Sequence, residues 1–239
     1  MEEERATALA QMRQDVQDLG SSTDGYGDAT LMRFLIARSM VPEKAAKMFV
    51  LWQEWRASFV PSGSIPDDEV CDNLDDGKVF LGGLTKEGYP LLIVKGSKHY
   101  PTKDRLQFKK FVVHSLDKAI ASAYKGGREN GNEKIIAAVD LGQIPYKNLD
   151  PHGMIISFQL LQSYYPERLA KCYMLNMTRF LASMWKMVSY FLDKATQEKI
   201  VFVYSEEEKR EFVKLVGEDI VPEEYGGKAK LVAIQDVTI

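Results

Sequence analysis

The chain has 239 residues, 45% hydrophobic and 27% charged, with a formal net charge of -3. That length suits one large domain or a small one beside a medium one, and the charge excludes a global basic field for nucleic acid. Cys71 and Cys172 lie far apart, no C-x-x-C or His/Cys cluster offers a metal site, and no apolar run reaches membrane-spanning length.

In chain order, the first sixty residues read as helical. Residues 3–19 form a polar helix closed by Gly20, which tolerates a left-handed cap. Asp28 can cap a second helix over 29–38, with Leu31, Phe34 and Leu35 on one face. Pro42 suits the first turn of a third helix running to about Phe59, where Ala45, Phe49, Trp52 and Trp55 or Arg56 recur at helical spacing. The stretch 61–66, with two prolines and a glycine, breaks the pattern and is the best boundary. It predicts an N-terminal helical unit over 1–66 and a second domain over 67–239.

Strands and helices then alternate. Strands are predicted over 79–81 and 91–94, joined by a turn ending at Pro90, then an amphipathic helix over 104–124 and a loop rich in glycine and charge over 125–132. A buried strand follows over 134–141, and Asp150 can cap a helix over 151–165. A strand over 172–175 precedes the apolar segment 177–192, interrupted by charge only at Arg179 and Lys186. At about 1.5 Å per residue that segment spans roughly 24 Å, too short to cross a bilayer comfortably. It is either a core helix or one that works on an apolar ligand. A strand over 200–204 and a helix opened by Ser205 and three glutamates complete the pattern. Alternation of this kind predicts an α/β sheet with helices packed on it.

Enzyme motifs are missing. There is no G-x-G-x-x-G after a strand, no G-x-x-x-x-G-K-[ST] and no G-x-S-x-G. His99, His114 and His152 have no partners at metal or triad spacing and read as surface or loop histidines. Asp140, at the end of an apolar strand, stands where α/β enzymes often hold a carboxylate, but capping the following loop explains it equally well. No catalytic residue and no cofactor is expected.

The order of features resembles the CRAL-TRIO lipid-binding family, in its phosphatidylinositol transfer branch. Leu31-Met-Arg-Phe-Leu-Ile-Ala-Arg38, Gly88-Tyr-Pro90, Val139-Asp140-Leu141, Tyr165-Pro-Glu-Arg-Leu169, the later Asn176, Phe180, Trp185, Thr196 and Lys199, and the closing Val221-Pro-Glu-Glu-Tyr-Gly-Gly227 carry the likeness. The resemblance implies a helical N-terminal unit beside a mostly parallel sheet that floors an apolar cavity, gated by a helix over about 179–193. Phe180, Leu181, Met184, Trp185, Val188, Phe191 and Leu192 would line or gate the cavity. Phe180, Met184 and Val188 could equally be plain core.

By the same resemblance Arg38, Glu167, Thr196 and Lys199 would hold the inositol phospholipid head group. An interdomain salt bridge between Arg38 and Glu167, and a solvated strand-start lysine at 199, are the plain alternatives. Thr178 stands where the family usually has proline, and Ile36 replaces a common arginine. The strand 134–138 lacks the hydroxyls with which some relatives take phosphatidylcholine, so that lipid is not expected as second ligand. The expected partners are phosphatidylinositol, a membrane surface touched transiently and a lipid kinase, for a cytoplasmic monomer. Lys103, Lys110 and His114 share one helical face, either an anionic-lipid patch or a solvated stripe. A tocopherol, retinoid or sterol-like cargo, or a protein-interaction module regulating small GTPases, are the competing functions.

Overall fold

A computed structural model describes residues 2–124 and 129–238. The loop expected over 125–132 falls partly outside the described residues. Three helices open the chain: α1 (Glu2–Asp18), α2 (Asp28–Ala37) and α3 (Pro42–Phe59). They bury their own small core of Met12, Val16, Leu31, Phe34, Leu35, Ala45 and Phe49. Asp28 does not cap α2: its carboxylate pairs with Arg13 at 2.7 Å, and Gly27 stands at the cap without a side-chain bond.

The second part adds a short helix α4 (Cys71–Asp75), then β1 (Val79–Leu84), β2 (Pro90–Lys95), α5 (Arg105–Ala121), β3 (Ile135–Asp140), α6 (Pro151–Tyr164), β4 (Leu169–Leu175), α7 (Arg179–Ser189), α8 (Lys194–Gln197), β5 (Ile200–Phe202) and α9 (Glu206–Val216). The strand order is β1-β2-β3-β4-β5, with β1 antiparallel to β2 and every other pair parallel. Each parallel crossover moves one strand in the same direction. Right-handed connections therefore place α5, α6 and α7 on one face of the sheet.

Strand alternation sorts the side chains between two cores. Leu92, Ile135, Cys172 and Met174 face α5, α6 and α7, whereas Leu91, Ile93, Ile136, Ala138, Tyr173 and Leu175 face Phe212, Val213 and Val216 of α9. Strand β4 begins at Leu169, three residues ahead of the expected start. The buried Arg168 next to it donates to the Glu133 carbonyl at 2.7 Å and carboxylate at 3.0 Å, which holds that strand end beside β3. The closing Val221–Gly227 stretch packs under β3, where Tyr225 donates its hydroxyl to Asp140 at 2.9 Å. Gly227 must be glycine, since a Cβ there would collide with the Val221 carbonyl.

The N-terminal helices dock through aromatic stacking and one charged relay. The Trp55 and Tyr164 rings stack at 3.9 Å, and Arg56 pairs with Asp117 at 2.7 Å while Tyr165 donates to the other Asp117 oxygen at 2.7 Å.

Candidate functional site

An apolar cavity of about 190 Å³ lies between the sheet and its helical cover. The floor is Leu92, Val94, Ala137, Val139, Cys172 and Met174; α5 contributes Phe108 and Phe111, and α6 contributes Met154 and Phe158. Space exists because Ala137 and Cys172 are short where the neighbouring strands carry branched or long side chains. No hydroxyl from β3 enters it. A second void of about 50 Å³ lies beneath α7 and shares Leu141, Ile144, Met154 and Met174 with the first.

Helix α7 is two-sided rather than apolar all round. Leu181 and Val188 are buried, Met184 and Trp185 are half-buried, and all four line the smaller void. Trp185 meets Phe158 and Phe202 edge-on at 5.8 and 5.5 Å. Phe180, Met187, Tyr190 and Phe191 face outward, among Arg179, Ser183 and Lys186. Phe180 and Phe191 are therefore neither core nor cavity wall here. Leu192 is buried beyond the helix, which ends at Ser189, four residues before the expected end. Thr178 accepts a hydrogen bond from the Leu181 N–H at 3.2 Å, so it caps the helix where a proline could not.

The polar cluster lies at the opposite, N-terminal edge of the parallel strands. Glu167 adopts a left-handed backbone, φ +56°, between Pro166 and the buried Arg168. Such a conformation is costly for glutamate, and its carboxylate meets lysines rather than Arg168. Lys199 Nζ stands 3.4 Å from both Glu167 oxygens, and Lys134 Nζ 3.5 Å from one of them. These are long contacts, so both lysines keep donor capacity for another anion. Thr196, half-buried, is joined to Lys199 by the bond from the Lys199 N–H to its carbonyl at 3.0 Å.

Arg38 does not join this group. Helix α2 stops at Ala37, and among the described residues the exposed Arg38 side chain donates only to the adjacent Ala37 carbonyl. The Arg38–Glu167 salt bridge does not form. Five residues earlier, and about 140° round the helix at roughly 100° per residue, Arg33 points instead to the Glu129 carboxylate that Arg168 also holds, beside the cluster rather than in it. It is buried and donates to the Pro166 carbonyl at 3.3 Å and to Glu129 at 3.4 Å, and its Nε has no partner among the described residues. Burial, helped by the nearby Arg168, pulls its pKa down to about 10. Lys134 and Arg33 are the residues that sequence reasoning missed.

Two readings left open by the sequence are narrowed by the structure. Lys110 pairs with Glu69 at 2.5 Å and His114 is buried against the Ile65 carbonyl at 2.8 Å, so neither belongs to an open cationic stripe. Asp140 caps the loop after β3, as the plain reading had it: it accepts from Gly142 N at 2.8 Å, and also from Asn176 at 2.6 Å and Tyr225. His99, read as a surface or loop histidine, lies half-buried in the loop before α5 and contacts Asp150 at 2.9 Å.

Comparison with known proteins places these features. The family described as CRAL/TRIO domain matches residues 74–227. A CRAL-TRIO domain-containing protein of Saccharomyces cerevisiae is 27% identical over 85% of this chain and 72% of its own length. The Sec14 cytosolic factor of Schizosaccharomyces pombe is 23% identical over 93% and 82%. The phosphatidylinositol/phosphatidylcholine transfer protein SFH13 of Arabidopsis thaliana is 27% identical over 72% of this chain but only 30% of that protein. Among solved structures, the crystal structure of Sfh5 superposes with a TM-score of 0.68 at 17% identity, covering 90% of this chain and 77% of that one. No helix among the described residues is long and apolar enough to cross a membrane.

Proposed function

Because the chain belongs to the CRAL/TRIO domain family, whose members bind and transfer lipids, we propose that it is a non-catalytic carrier of phosphatidylinositol. It moves this lipid between membranes or presents it to a lipid kinase. The observation that carries the reading is the loosely held Glu167, Lys199 and Lys134 group at the N-terminal edge of β3, β4 and β5, the first two of which floor the apolar cavity. Two ammonium groups with spare donors suit a phosphodiester, and a carboxylate held between them suits inositol hydroxyls. Thr196 adds a hydroxyl beside them. Arg33 supports the site indirectly, through its bond to the Pro166 carbonyl next to Glu167. The name of the Arabidopsis relative supports the choice of lipid class.

Cavity size sets the mechanism. Pockets for drug-sized ligands are roughly 300–1,000 Å³, and the cavity of about 190 Å³ is smaller. Lifting α7 joins it to the void beneath. Leu181 and Val188 together hold α7 down by about 3–6 kcal/mol of burial in water. At a bilayer that cost falls, since the side chains uncovered by lifting α7 meet lipid instead of water. Acyl chains, worth about 0.8 kcal/mol per buried methylene, then replace the side chains.

Transfer of labelled phosphatidylinositol and phosphatidylcholine between vesicles tests this reading. Wild type is expected to move the first and not the second, whose head finds only Ala137 and Val139 on β3. Lys199→Ala and Glu167→Ala are each expected to reduce transfer about tenfold or more, the loss of one charged hydrogen bond. Arg33→Ala should impair it and Arg38→Ala should not. A folded protein that moves neither lipid overturns the assignment.

A further inference from the structure

The edge of the sheet opposite the Glu167 cluster has its own character. Helices α5, α6 and α7 all begin there, each following the C-terminal end of a parallel strand. Their positive dipole ends face one surface. Lys103 and Arg105 lie at the start of α5, Lys147 ahead of α6 and Arg179 at the start of α7. Among the described residues none of the four forms an ion pair. The carboxylates of this edge, Asp104, Asp140 and Asp150, keep their charge while they accept from neighbouring N–H and O–H groups, and they are three against the four cations and the positive helix ends. A chain of net charge -3 therefore presents a locally positive rim.

Large apolar side chains stand between these cations. Tyr146 is 85% exposed, Leu106 58%, Phe180 57% and Tyr100 51%. The loops form one surface rather than separate tips. Asn148 donates to the Ser97 carbonyl at 2.7 Å, and Lys147 Nζ lies 5.5 Å from the Tyr100 ring centre. Leu141, Ile144 and Pro151 of the same region line the smaller void beneath α7. Aromatic rings interleaved with cations match a membrane interface, where the rings sit at head-group level and the cations meet anionic lipid. An acidic protein would satisfy the charge and leave Tyr146 and Leu106 unexplained.

We propose that this rim, formed by the β2–α5 and β3–α6 loops and the start of α7, is where the protein lands on an anionic phospholipid bilayer. The rim points Tyr146, Leu106 and Phe180 into the head-group layer and brings the voids under α7 to the membrane. The inference rests on the lipid-carrier reading and is independent of phosphatidylinositol being the cargo.

Sedimentation with vesicles of phosphatidylcholine, alone or mixed with phosphatidylserine, tests it without any inositol lipid present. Wild type is expected to bind the mixed vesicles and to release in high salt, where screening shortens the reach of charge to roughly 3 Å. Each cation near a charged leaflet is worth roughly five-fold. The double variant Arg105→Glu with Lys147→Glu should lose at least about twenty-fold in vesicle affinity. Arg210→Glu with Lys214→Glu, the same charge change on α9, should change it less than about two-fold. Tyr146→Ser should weaken the residual binding in salt. Equal binding of wild type to both vesicle types, or equal losses in the two double variants, overturns the proposal. Loss of inositol-lipid transfer with vesicle binding intact would instead count against the cargo, so the two readings fail separately.

Discussion

Arg168 shows how a single side chain fixes the geometry of the site next to it. It is buried, paired with the equally buried Glu133, and bonded also to Glu129. Burial works to raise the Glu133 pKa, yet backbone N–H groups and Arg168 together hold it below the usual carboxylate value. Arg168→Met is expected to cost about 3–5 kcal/mol, because it strands a buried carboxylate, and a drop in the urea midpoint would register it. A loss under about 1 kcal/mol would mean that Glu129 and the strand backbone suffice. In sequence, Glu167 and Arg168 look alike as a charged pair after a helix. Which of them faces the site depends on the left-handed turn at Glu167, for which glutamate carries no composition signal. The arginine error has a similar source. The resemblance puts Arg38 at the close of a helix over 29–38, but α2 ends at Ala37 and Arg38 is left exposed. The resemblance names Lys199 and Glu167 together, and the structure puts them 3.4 Å apart, whereas Lys134 needed the β3–β4 pairing to bring it near.

At the level of elements, most of the alternation was legible because turns and caps are written in short-range chemistry. Asp104, Asp150, Thr178 and Ser205 each accept a hydrogen bond from an N–H in the first turn of their helix. What stayed hidden was set from outside the element: the early start of β4 follows from Arg168 reaching Glu133, and α4 is five residues with no periodicity to read. Asp150 makes a testable case. Burial would raise its pKa, but the contact with His99 and the Gly153 N–H outweigh it and hold the carboxyl below its usual value. A depressed folded-state pKa gives stability that is complete above the unfolded value and is lost as pH falls through the folded one. Asp150→Ala should therefore lower stability by about 1–2 kcal/mol near neutral pH, mainly through the lost cap. That difference should shrink in acid. Denaturant titrations of both proteins between neutral and acid pH would show it, and a gap independent of pH would assign the whole effect to packing.

Across the whole molecule, polarity is divided by the direction of the strands. The N-terminal edge of β4 and β5 gathers Glu167, Lys199 and Lys134, and the C-terminal edge gathers three helix starts and the unpaired cations of the rim. The apolar cavity lies between them. Six residues of strand at roughly 3.3 Å each separate the two by about 20 Å. A lipid head at one end and a landing surface at the other thus need not compete for the same side chains. The small core of α1, α2 and α3 closes the first edge through Trp55 on Tyr164 and Arg33 on Pro166.

The two cysteines turn this arrangement into a clock. Cys71 is exposed, while Cys172 lies in the cavity floor with its thiol pushed up to about 12 by burial. An alkylating reagent needs the thiolate, so the buried sulfur reacts only during excursions that admit solvent. Mass spectrometry should show Cys71 modified at once and Cys172 at a far slower rate that rises when vesicles are added. That rate is the opening frequency of the cover over β4, read out by the protein's own sulfur atoms. Equal rates for both would mean that α7 seals nothing.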